Sequence, residues 1–202
     1  MHLRLFCTDL LSRLGWAAAH WRRSVRHFWY RTDKAAWVFV LVMGLIITIL
    51  GIVLHAVFAE QDERLKLTRE YHEQNLTCLA RNVYYEARGE PTAGQYGVAE
   101  VTMNRTASGL YPATVCEVVY QTNWDPIRGR YVAAFSWTEL SALEKPSGEA
   151  WQRARKVAEA VYYQRHTPAV QGALFFHANY VNPDWAKDKQ RVARIGKHIF
   201  YK

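Results

Sequence analysis

With three cysteines, and with no His, Cys and acidic residues at metal-ligand spacing, the sequence carries no zinc signature. Neither a metal nor a cofactor is therefore expected. Internal repeats and low-complexity segments are also missing, so 202 residues leave room for one medium domain plus accessories. The most informative absence is of charge. From Ala35 to Phe58 there is no Asp, Glu, Lys or Arg. Those 24 residues are long enough to cross a hydrocarbon core, which takes about 20 in a helix. Trp37 stands at one edge, where an interfacial aromatic belongs.

The flanks give that run a direction. Residues 1–34 hold seven Lys or Arg against Asp9 and Asp33, a net +5. Positive charge so close to a span is retained in the cytoplasm, which puts the carboxyl portion on the far side. A cleaved signal peptide is the competing reading, with Val57-Phe58-Ala59 as its cleavage region. Its leader would be very long, and the apolar run exceeds the usual ~7–15 residues of a signal core. The expected organisation is a basic cytoplasmic tail (1–34), a single-pass anchor in the inner membrane (35–58), a charged stalk (59–74) and a periplasmic or otherwise extracytoplasmic domain (75–202).

Beyond the tail, nineteen basic residues face sixteen acidic ones. Much of the overall charge of +8 thus belongs to topology, and no nucleic-acid partner is invoked. In the tail, Leu3, Leu5, Phe6, Leu10, Leu11 and Leu14 alternate with arginines and with Trp16, Trp21 and Trp29. They read as a helix on the inner membrane surface or as a disordered basic tail. Cys7 falls on the reducing side, Cys78 and Cys116 on the oxidising side. A disulfide closing 38 residues and two buried free thiols are both open readings.

Within the domain, Asn75 is placed to cap a helix beginning at Leu76, with Leu76, Ala80, Val83 and Ala87 on one apolar stripe. Gly89-Glu90-Pro91 is a stop signal, Gly89 being able to take a left-handed cap and Pro91 unable to continue the ladder. Glu86 then lies in the last turn, where the helix dipole and partial burial both disfavour the anion. That suits a general acid. The plainer reading is a surface glutamate paired with Arg81 or Arg88.

A second helix is expected over 92–107, closed by Ser108-Gly109, and a short one opened by Thr114. Residues 121–134, with Trp124, lack periodicity and read as a binding loop or as disorder. Ser147 is expected to cap a helix reaching about Arg165. Residues 173–178 read as a strand, and 192–201 as a hairpin turning at Gly196-Lys197. Helices first and a small antiparallel sheet last make an α+β domain.

Eight elements, in order, carry a resemblance. They are Tyr85-Glu86-Ala87-Arg88-Gly89-Glu90, Gly94-Gln95 with Val98-Ala99, Asn104-Arg105, Tyr111-Pro112, Phe135-Ser136-Trp137, His177-Ala178, Trp185-Ala186 and Ile195-Gly196-Lys197-His198-Ile199-Phe200-Tyr201. Over about residues 76–202 the chain resembles the SleB-type cell wall hydrolases. The resemblance implies a small lysozyme-like helical domain with a short sheet near its end, acting on peptidoglycan glycan strands as a lytic transglycosylase. It makes Glu86 the catalytic acid of MurNAc–GlcNAc cleavage. In such a reaction the sugar's N-acetyl group can stabilise the cation and its C6 hydroxyl displaces water, so one carboxylate serves as acid and then as base. Glu100 and the loop 121–134 depart from the pattern.

Sugar sites need rings to stack on pyranose faces. Tyr85, Trp137 and Tyr180 are the candidates, with Trp124 as an addition. Gln95, Asn104, Ser136, His177 and Asn179 could bond N-acetyl or hydroxyl groups. Each has core packing or structural ties as its alternative, and Asn104-Arg105 reads best as a tie between helices. Glu90 is turned off the helix face by its neighbours. Three competing functions remain: a papain-like stem peptidase using Cys78 and His177, a zinc amidase drawing on Glu86, His177, Asp184 and His198, and a wall-binding adaptor without activity.

Overall fold

The computed structural model describes residues 16, 19–28, 30, 31, 33–126 and 128–202. Cys7 and most apolar residues of the tail lie outside that set. The chain divides into two compact units, residues 1–64 and 65–202.

In the first unit residues 19–28 are helical, and Trp16 and Trp21 are exposed. Asp33 opens the next helix: its carboxylate accepts the amide of Ala35 at 3.0 Å, satisfying a donor that a helix start leaves orphaned. This helix, α1, runs Lys34–Ala87. Its most apolar stretch has a mean hydropathy of 2.9 and is wholly unburied. The charged residues after it are helical too and belong to the same helix as Glu86.

That continuity corrects the role of Asn75. No helix starts at Leu76, so there are no free amides there to cap. Asn75 is buried and its oxygen accepts instead from Val115 N at 2.9 Å and Cys116 N at 3.3 Å. It caps the short helix α3 (Val115–Val119) from across the core. Thr114 and Glu117 complete that start as a capping box. At the other end of α1, Gly89 does not take the left-handed conformation. The helix closes with Glu90 N on Ala87 O at 2.9 Å, and Pro91 stands at the start of α2 (Thr92–Ala107).

The second unit is built on the last three turns of α1. Leu76, Leu79, Ala80, Val83 and Ala87 are buried, the three- and four-residue spacing of one helix face. Leu76, Leu79, Ala80 and Val83 meet Ala99 of α2, Val118 and Val119 of α3, and Ala154, Val157, Ala158 and Val161 of α4 (Gly148–Tyr162) in one core. Ser147 does stand at the start of α4 but its side chain makes no capping bond. A smaller cluster of Val101, Val170, Ala173 and Phe200 lies under the sheet. There Gly97 is required, because a Cβ would come within 2.6 Å of the Phe200 ring.

That sheet has the order β3 (Phe175–Ala178), β5 (His198–Tyr201), β4 (Arg191–Ile195), antiparallel throughout. Its β4–β5 turn is Gly196-Lys197, with Gly196 at φ +58°. The stretch after α3 differs from expectation. It is a second small sheet, a hairpin of β1 (Thr122–Asp125) and β2 (Arg130–Ala133). The α+β class therefore stands, with two antiparallel sheets in place of one.

Candidate active site

Glu86 sits in the last turn of α1, half-buried. Among the described residues no hydrogen bond or ion pair reaches its carboxylate; neither Arg81 nor Arg88 pairs with it. Burial pushes its carboxyl up from 4.5 to about 7, and the charge of Arg105 pulls the other way. A carboxyl removed from water without donors holds its proton more tightly, because no hydrogen bond stabilises the anion and the Arg105 charge compensates only in part.

Arg105 is the neighbour that sequence reasoning passed over. It is only 8 % exposed. Its Nε donates to Leu174 O at 2.8 Å, so Asn104-Arg105 ties α2 to the segment before β3 and not, as expected, to another helix. Its guanidinium lies 5.0 Å from the Tyr111 ring centroid and 5.1 Å from that of Phe135, an arrangement in which ring faces replace part of the lost hydration. Its Nη1 is buried without a hydrogen-bond partner. Tyr111-Pro112 and Phe135-Ser136 were visible as motifs. Their convergence on one cation was not, since the rings are far apart in sequence.

The aromatic candidates separate. Tyr85 stacks on Trp137, centroids 4.6 Å apart, and donates its hydroxyl to Glu144 O at 2.8 Å. Trp137 is 7 % exposed and gives its indole N–H to Asn82 at 2.9 Å; packing is its main role. Asn82, fully buried, also donates to Thr102 at 3.0 Å and so ties α1 to α2 and to the Trp137 turn. Tyr180 is 80 % exposed, and Trp124 is exposed on the hairpin.

Most polar candidates are occupied. Gln95 is buried and its amide donates to Glu90 O at 3.1 Å. Asn104 donates to Ala173 O at 3.0 Å. His177 shares hydrogen bonds with Ala178 O and the Tyr201 hydroxyl, both at 2.9 Å, and stacks on the Tyr201 ring. Ser136 and Asn179 are exposed, and Asn179 N donates to Lys197 O.

Glu90 and Glu100 have structural work. Glu90 accepts the Lys197 amide at 2.8 Å and so fastens the β4–β5 turn to the end of α1. Gly196 is needed beside it, since a Cβ there would overlap the Glu90 carboxylate. Glu100 is buried and accepts from Ala169 N at 2.9 Å and Val170 N at 2.8 Å, with His166 Nε2 at 3.1 Å. The apparent departure at position 100 is a clamp on the segment leading to β3.

Cys78 is bonded to Cys116, with Cα atoms 5.2 Å apart. A bonded sulfur has no thiolate to attack with, which removes the nucleophile of the papain-like reading. Among the described residues no three His, Cys, Asp or Glu side chains are grouped to hold a metal ion, so the amidase reading finds no ligand set. Burial holds the His198 imidazole below its ordinary value.

Comparison with known proteins gives the domain a lineage. Residues 89–201 match the model of a family described as cell wall hydrolase, a stretch that begins just past Glu86. The spore cortex-lytic enzyme of Oceanobacillus iheyensis is 30% identical over 65% of this chain and 43% of its own length. That of Bacillus subtilis is 29% identical over 64% of this chain and 38% of its own. The chain thus spans less than half the length of these curated relatives. The solved catalytic domain of the germination-specific lytic transglycosylase SleB from Bacillus anthracis is 27% identical, with a TM-score of 0.51, and covers 63% of this chain and 93% of that domain. The chain belongs to the cell wall hydrolase family, and its carboxyl-terminal unit is a domain of the SleB type.

Proposed function

We propose that this protein is a membrane-anchored lytic transglycosylase that cleaves the MurNAc–GlcNAc bond of peptidoglycan, with Glu86 as the single catalytic carboxylate. The observation that carries this reading is the state of Glu86. It is half-buried, has no hydrogen-bond donor among the described residues, and is pushed up to about 7. Near neutral pH it is then as ready to give a proton as to take one, the condition a single group needs to act twice. In the first step the carboxylic acid protonates the glycosidic oxygen and the bond to C1 breaks. The N-acetyl oxygen shields the cation. In the second step the Glu86 carboxylate takes the proton of the C6 hydroxyl as that oxygen bonds to C1, which closes an anhydro ring and restores the acid. The Arg105 charge favours the anion between the two steps.

The spore cortex-lytic names of the relatives support a peptidoglycan substrate, as does the SleB-type fold. The organisation we propose keeps residues 1–34 in the cytoplasm, 35–58 in the inner membrane, 59–74 as a helical stalk and 75–202 as the exported domain on the glycan strands. An unburied apolar stretch of this length and the +5 flank support it. The Cys78–Cys116 bond fits an oxidising compartment.

The test is Glu86→Gln on purified sacculi with mass analysis of the released products. Wild type should yield anhydro-muramic ends, and the variant none, with its fold unchanged. Clearing by the variant near the wild-type rate would sink the assignment, and reducing ends from wild type would replace the transglycosylase outcome with hydrolysis. A reporter fused after Lys202 should work only if it is of the periplasmic kind. A soluble species starting at Glu60 would turn the anchor into a cleaved signal.

A further inference from the structure

The β1–β2 hairpin has two unlike faces. Cross-strand partners are Thr122 with Ala133, Asn123 with Val132, Trp124 with Tyr131 and Asp125 with Arg130. Side chains alternate along a strand, so Trp124, Tyr131, Thr122 and Ala133 share one face while Asn123, Asp125, Val132 and Arg130 share the other. The charged groups of the second face are occupied: Asp125 pairs with Arg128, and Arg130 with Glu139. The rings of the first face are not covered. Trp124 is 57 % and Tyr131 64 % exposed, and they meet edge to face at 5.4 Å. Two large rings set side by side on a ribbon and left in water call for a ligand with apolar faces and a polar rim.

The hairpin leads into the candidate site at both ends. Ala134 N donates to Gln121 O at its base, and Ala133 N to the Glu139 carboxylate at 2.7 Å. Just before β1, the Tyr120 ring edges onto Trp137 at 5.8 Å. Just after β2 come Phe135, which packs under Arg105, and Trp137, which stacks on Tyr85 beside Glu86. Between the outer pair of rings and this inner set, the shared face carries only the small side chains of Thr122 and Ala133.

We infer that the β1–β2 hairpin is a distal glycan subsite, in which Trp124 and Tyr131 stack against a pyranose of the strand whose scissile bond lies at Glu86. The inference rests on the glycan-cleaving reading above. A strand running from Glu86 toward the tip would pass the exposed Tyr120 ring, then small side chains, then the outer pair of rings, and that pair would hold it without touching the reacting atoms. Stacking that is equally strong in the ground and transition states lowers KM for long strands and leaves kcat alone.

The experiment compares the full-length protein with Trp124→Ala/Tyr131→Ala on long glycan strands and on the shortest fragment it cleaves. The double variant should raise KM on long strands by about 10-fold or more, with kcat retained, and should leave KM on the short fragment alone. Circular dichroism and melting check that the hairpin loss has not unfolded the domain. Trp124→Tyr, which keeps a ring, should recover most of the affinity. An unchanged KM on long strands would overturn the subsite, as would an equal loss on both substrates. If the variant instead loses self-association or binding to lipid vesicles with KM unchanged, the rings belong to a second copy or to the membrane, and the inference falls. Retained clearing by Glu86→Gln would remove the glycan reading itself, a result separate from any of these.

Discussion

Two glutamates withdrawn from water on neighbouring helices have opposite surroundings. Glu100 is met by two backbone amides and a histidine, and its charge is spent on holding the segment before β3. Glu86 is met by no donor among the described residues, and its proton is held up to about 7. Both are withdrawn from water, and what differs is the donors that meet them. The number of donors around the carboxylate decides whether it serves the fold or the chemistry.

Replacing each residue sharpens that contrast. Glu86→Gln should cost ~10²–10⁴-fold in glycan cleavage, the usual weight of a general acid, with no loss of melting temperature. A matching loss of stability would make Glu86 structural and break the comparison. Next in size is the disulfide. Among the described residues no hydrogen bond holds the Glu86 carboxylate, so its position depends on α1, which Cys78 fastens to α3 two turns earlier. Cys78→Ser with Cys116→Ser should lower stability by ~3–4 kcal/mol by loop entropy and reduce kcat more than it raises KM, in denaturant titration and initial-rate measurements.

Glu100→Gln should do the reverse of Glu86→Gln. It puts an amide N–H₂ against backbone donors, costing ~1–3 kcal/mol, while activity per folded molecule is kept. An activity loss far beyond the unfolded fraction would move Glu100 into the site. The smallest effect is on pH dependence. The folded value for Glu86 is raised from 4.5 to about 7, so the folded state holds the proton more tightly. That contribution is complete below about pH 4.5, declines between there and about 7, and is gone above. Wild type and Glu86→Gln should thus differ in stability by ~1–2 kcal/mol more at pH 8 than at pH 4, in favour of the variant, after allowing for partial exposure. Wild-type cleavage should fall as pH rises through about 7, where the acid form is lost. A flat stability difference would mean that the carboxyl is not desolvated.

Local pattern and covalent order determined a good part of this protein. The uncharged run with its basic flank, the 76–80–83–87 stripe, the two-residue turn at Gly196-Lys197 and the position of Glu86 in a last helical turn follow from neighbours in sequence. Each depends on backbone geometry or on charge counted along the chain. The hairpin at 122–133 was not legible, because four-residue strands give too short an alternation. Asn75 had the right chemistry and the wrong helix, since sequence order names the next helix start while the fold brings a distant one to its oxygen. Only the tertiary structure decided that Glu100 has donors and Glu86 has none among the described residues, that Arg105 meets the rings of Tyr111 and Phe135, and that Cys78 and Cys116 meet. These are contacts between residues far apart in the chain, and how many donors a buried charge finds is set by what the fold packs against it.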